Sequence, residues 1–162
     1  MRKIILILIT FIYIGECHGS KEGNLNKLCD IADTKNVEII YHPFYITTNI
    51  AINKERLKRE YIYKFEINNI QDTPYQKEIV KMLGVSYFEH EKTNDLRWGV
   101  MMTSHKGKEC SLFFDYFGDC GQINNLKVCF KKNTILEWIQ KKIPFITQDY
   151  LLGDNSNPLN VE

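Results

Sequence analysis

The chain predicts an α+β fold: one antiparallel β-sheet, built as a meander, with two to three helices packed on one side and disulfides stapling it. Three observations predict this. Tyr61-Ile62-Tyr63-Lys64-Phe65-Glu66-Ile67 alternates with period two, placing Tyr61, Tyr63, Phe65 and Ile67 on one face. The stretch from Asp95 to Lys142 holds both tryptophans, three of the five cysteines and several strand-like runs separated by turn residues. Two apolar-striped segments open on capping boxes, Thr73–Gln76 and Thr134–Glu137, which is how helices begin.

The N-terminus reads as an address. Met1-Arg2-Lys3 is basic, and Ile4 to Ile14 is an apolar run of eleven residues interrupted only by Thr10. A membrane span needs about 20 apolar residues, so this run fits the core of a signal peptide instead. Cys17-His18-Gly19 puts small residues where a signal peptidase wants them, which predicts cleavage before Ser20. Acylation at Cys17 is the alternative, but it places Glu16 where a small residue is needed. The expected organisation is a signal peptide over 1–19, a single α+β domain over 20–147 and a flexible tail over 148–162, marked by Gly153, Asn155, Ser156, Asn157 and Pro158. The expected location is periplasmic or secreted.

Export makes the remaining cysteines legible. Cys29, Cys110, Cys120 and Cys129 form an even set with no C-x-x-C pair, which favours two disulfides over a zinc site. A two-residue turn at Asn124-Asn125 would set Cys120 directly opposite Cys129, because Asn tolerates the positive φ such turns require. That leaves Cys29 for Cys110. The rival pairing is Cys110–Cys129 across a turn at Gly118-Asp119.

Between these landmarks the elements run in order. Asn24 to Asp33 has the spacing of a short amphipathic helix. Val37 to Ile52 is rich in Ile, Tyr, Phe and Thr and reads as strand, bent near His42-Pro43. Asn53 to Arg59 is charged apart from Leu57 and reads as a turn or one helical turn. The first capped helix carries Ile79, Val80, Met82 and Leu83, and Val85 to Phe88 is a short strand. Leu96 to Thr103 and Cys110 to Phe117 are strands about the turn Ser104 to Lys108, and Lys127 to Phe130 comes after the Asn-Asn turn. Apolar residues on both faces of Cys110–Phe117 mark a central strand. The last helix ends at Pro144, with Lys141 and Lys142 at the negative end of its dipole.

The chemistry is sparse. The formal net charge is +1, and it falls to zero once Arg2, Lys3 and Glu16 leave with the signal. A balanced chain lacks the Lys/Arg density that nucleic acid or anionic lipid requires. No nucleophile elbow, phosphate loop, dinucleotide fingerprint or H-E-x-x-H motif is present. No cofactor and no metal is expected. The reading that remains is an exported, non-catalytic binding protein, of the kind that inhibits or confers immunity to a secreted effector or hydrolase. Its expected partner is a protein. The nine tyrosines supply anchors for such an interface. The expected contacts are the loops Glu89 to Asp95 and Ser104 to Lys108, with Glu89, His90, Glu91, His105 and Lys106 as candidates. The alternatives are a small enzyme assembled from His90, Asp115 and Asp119, or a structural envelope protein.

Overall fold

A computed structural model describes residues 22–90 and 95–143. The predicted signal peptide, Glu91 and the tail from Pro144 lie outside the described residues. The described chain folds around one eight-stranded sheet in the order β1-β4-β8-β7-β6-β5-β2-β3, every neighbouring pair antiparallel. The strands are β1 (Glu22–Asn24), β2 (Thr34–Tyr41), β3 (Tyr63–Ile67), β4 (Ser86–Glu89), β5 (Leu96–Ser104), β6 (Glu109–Asp115), β7 (Cys120–Ile123) and β8 (Leu126–Phe130). The helices are α1 (Lys54–Glu60), α2 (Gln76–Val80) and α3 (Thr134–Lys142). The meander is the run β5-β6-β7-β8.

One face of the sheet carries the main core. Ile39, Trp98, Leu112, Phe114, Ile123 and Val128 pack there against Ile79 of α2 and Ile135, Leu136 and Ile139 of α3. Tyr41 and Trp98 stack with ring centroids 3.9 Å apart. α3 is capped one residue earlier than its capping box predicts, because Asn133 Oδ1 accepts the Leu136 N–H at 3.1 Å. Glu78 joins the two helices. It accepts from Trp138 Nε1 at 2.9 Å and lies 2.8 Å from Lys142 Nζ.

Three elements differ from expectation. Asn24–Asp33 is not one helix but the end of β1 and two 3-10 turns, Leu25–Lys27 and Ile31–Asp33. Leu25, Cys29 and Ile31 are all buried, and that spacing does not fit one face of an α-helix. Thr73 does not cap α2; its hydroxyl donates to the Ile70 carbonyl at 2.7 Å and closes the preceding turn. The expected strand over 37–52 stops at Tyr41, and from His42 to Asn53 the chain runs as a loop.

α1 lies on the opposite face from α2 and α3. Its single apolar residue, Leu57, is fully buried with Ile40, Ile52, Leu96 and Phe113 in a second, smaller core. A seven-residue helix does not form alone. Burying Leu57 contributes about 2 kcal/mol, and the Asn53 side chain accepting from Arg56 N at 2.8 Å starts the helix.

Disulfides join Cys29 to Cys110 and Cys120 to Cys129. Asn124 has φ 55°, and the turn sets Cys120 opposite Cys129 in the register of β7 and β8. Disulfides of this kind belong to oxidising compartments. No helix among the described residues is long and apolar enough to cross a membrane.

Candidate binding surface

The predicted contact residues fall at one end of the sheet. Glu89 and His90 lie at the end of β4, and His105 and Lys106 sit in the β5–β6 turn; all four are exposed. Both sites share the sheet end that carries the Asn124-Asn125 turn. Strand order separates them by three or more strand spacings, about 14 Å or more, so they do not form one cluster. Asp115 and Asp119 lie at the other end of the sheet, so the fold does not bring them to His90. The buried Asp115 carboxylate accepts the backbone N–H groups of Asp119 at 3.0 Å and Cys120 at 3.2 Å, which closes the β6–β7 bend. Among the described residues no group of three or more His, Cys, Asp or Glu side chains could hold a metal ion. A hollow of ≈ 480 Å³ lies on the α1 side of the sheet, but Glu38 and Glu66 on its wall are engaged by Lys64.

The other end of the sheet holds a different arrangement, and it begins with a bulge. Leu96 pairs with Asp115 and Trp98 with Phe114, so Arg97 is an extra residue in β5. The bulge turns Leu96 onto the α1 face and lodges Arg97, 4% exposed, beneath the loop after β2. Its Nη1 donates to the Pro43 carbonyl at 3.2 Å and the Ile46 carbonyl at 3.1 Å, and lies 3.0 Å from His42 Nδ1, which is itself 3.3 Å from the Pro43 carbonyl. Its Nε donates to Asp95 Oδ2 at 2.7 Å. Asp95 in turn accepts the Ile52 N–H through its other oxygen, and Leu96 N donates to the Ile52 carbonyl at 2.8 Å. The two ends of the loop are therefore bonded to one short segment, Asp95–Arg97.

His42 is buried beside Arg97, and its pKa is lowered from 6.5, first by burial and then by the Arg97 charge. A neutral ring sits against the guanidinium without repelling it.

That loop is unusual in composition. From Pro43 to Asn53 it has eleven residues and no charge. It exposes Phe44 (57%), Tyr45 (53%) and Ile50 (72%). The β6–β7 bend meets it from the side: the Phe44 and Tyr116 rings lie 4.5 Å apart, and Tyr116 and Phe117 4.8 Å apart. Phe117 is 71% exposed. Gly118 makes the bend with φ 78°, and Asn133 Nδ2 donates to its carbonyl at 3.0 Å, tying the bend to the start of α3.

Exposed aromatics on two pinned loops form a protruding apolar surface of a kind that marks interaction sites. Sequence reasoning does not single out Arg97, Phe44, Tyr45, Ile50 or Phe117 as contacts. The available signal is the uncharged run Pro43–Asn53, which its β-branched and aromatic residues disguise as strand. Comparisons of the chain with protein-family models, with curated proteins and with solved structures return no match.

Proposed function

We propose that this is an exported, non-catalytic binding protein whose aromatic loop end enters a cleft on a protein partner. The partner class is a secreted effector or hydrolase, and the role is inhibition or immunity. The observation that carries this reading is the exposure of Phe44, Ile50 and Phe117 on loops held by buried Arg97 and by Asn133. Pinned aromatic anchors lose little entropy on docking, so their burial converts efficiently into affinity. The two disulfides support an oxidising location.

The test places a photo-crosslinking amino acid at Phe117 and, separately, at His105 in the full chain expressed in its own cells. The expected result is one crosslinked protein from the Phe117 position, whose purified form loses its activity when the wild-type protein is added. Phe44→Ser/Phe117→Ser restores that activity. Crosslinking from His105 alone, or a captured protein whose activity is unchanged, overturns the reading.

A further inference from the structure

The sheet has two unequal edges. β1 is three residues long, whereas β3 is five, Tyr63–Ile67, with no proline and no bulge. Among the described residues β3 pairs with β2 on one side and is the terminal strand on the other. Edge strands normally discourage pairing with proline, bulges or charged side chains. β3 has no proline and no bulge, and its two charges are of opposite sign. Its outward residues on the α1 face are Lys64 and Glu66, one of each sign, placed symmetrically about Phe65.

That symmetry has a geometric consequence. An antiparallel copy of β3 with a two-fold axis at Phe65 sets Lys64 opposite the copy's Glu66, and Glu66 opposite the copy's Lys64. Phe65, half-buried on the main-core face, meets its own counterpart. Within one chain Lys64 Nζ lies 2.9 Å from Glu38 on β2 and 2.6 Å from Glu66, so pairing across the axis brings a second chain's carboxylate to an ammonium that its own strands already hold. We infer that β3 is a self-pairing edge, through which two copies of this chain join antiparallel about Phe65 into one continuous sheet.

The inference stands independently of the function proposed above. A five-residue pairing buries little area, so the dimer is weak and forms with rising concentration. The antiparallel arrangement points the two aromatic loop ends in opposite directions.

Sedimentation velocity of the oxidised protein up to about 1 mM, the weak end of specific association, tests it with four proteins: wild type, Lys64→Glu, Glu66→Lys, and the double swap Lys64→Glu/Glu66→Lys. Either single swap sets like charges opposite each other twice across the axis, and each such cross-strand pair acts by a fraction of a kcal/mol to about 1 kcal/mol, so association falls about tenfold or more. The double swap restores opposite signs across the axis and sets the cation directly opposite Glu38 in the register of β2 and β3, so it recovers dimerisation. Urea midpoints of the four proteins separate loss of pairing from loss of folding: for the single swaps, dimerisation is lost at concentrations of urea where the monomer stays folded. A wild type that remains monomeric throughout, a double swap that fails to recover, or equal dimerisation in all four overturns the inference.

Discussion

Arg97 Nη1 lies 3.0 Å from His42 Nδ1, inside a loop junction that water scarcely reaches. A neutral imidazole is favoured there, since a protonated ring repels the guanidinium. Two loop carbonyls and one carboxylate complete the cation's surroundings.

Arg97→Ala removes three hydrogen bonds and the ion pair with Asp95 from one buried junction, and leaves the Ile46 carbonyl without its side-chain donor. The expected loss is about 3 kcal/mol of stability in urea unfolding. Limited proteolysis gives the complementary readout, with new cleavage within residues 43–53. Arg97→Lys recovers less than half of the loss, because one ammonium cannot span the positions that the guanidinium fork serves.

His42 makes stability pH-dependent in a defined direction. Its folded pKa lies below the unfolded 6.5, so the unfolded chain binds the proton more readily. The contribution is fully present above about pH 6.5, falls as pH drops below that value, and levels off once pH is below the folded pKa. His42→Asn, which keeps an acceptor but does not titrate, flattens this part of a urea-midpoint profile measured across about pH 4–8. An unchanged slope in the variant assigns the effect to another group.

The two disulfides differ in reach, with sequence separations of 81 and 9 residues. On the chain-entropy account, loss of Cys29–Cys110 costs about 4.5 kcal/mol and loss of Cys120–Cys129 about 2.6 kcal/mol. Paired serine variants measured by urea unfolding check the ranking. Equal losses would show that the long bridge closes a loop already constrained in the unfolded chain.

Gly121 lies where β7 presses on β6. A Cβ built there falls 1.8 Å from the Phe113 carbonyl oxygen, which is backbone and cannot step aside. Gly121→Ala is expected to prevent recovery of folded, oxidised protein. Gly107, by contrast a turn glycine, has open space and φ 75°; Gly107→Ala costs only about 1 kcal/mol.

The contrast between legible and hidden elements comes from how far each cause lies along the chain. β3 is readable because its alternation is local. The Cys120–Cys129 pairing is readable because a two-residue turn fixes register over the few residues on either side. The loop after β2 is not readable. Its composition is that of a strand, and the residue that holds it out of the ladder is Arg97, about fifty positions away. The bulge that places Arg97 leaves no mark on composition, since Leu96, Arg97 and Trp98 look like ordinary alternation. α1 reaches the far face on the strength of one leucine, too little to declare a side. The expected contacts at Glu89, His90, His105 and Lys106 rest on polarity, whereas the exposed aromatics cluster at the opposite end of the strands.

Strand order also dictates when the molecule can be finished. β4 has β1 and β8 as its neighbours, and β8 is the last of the described strands to be synthesised. Until Leu126–Phe130 arrives, the ribbon of β1 and β4 has no hydrogen-bonded route to the rest of the sheet, although β2, β3, β5 and β6 can already assemble. A nascent chain halted before Leu126 would carry the Arg97-pinned loop on a half-built scaffold with an uncovered strand edge open to stray pairing. Closure by the last strand made leaves a non-local pairing, β4 with β8, to the end, the arrangement that slows folding.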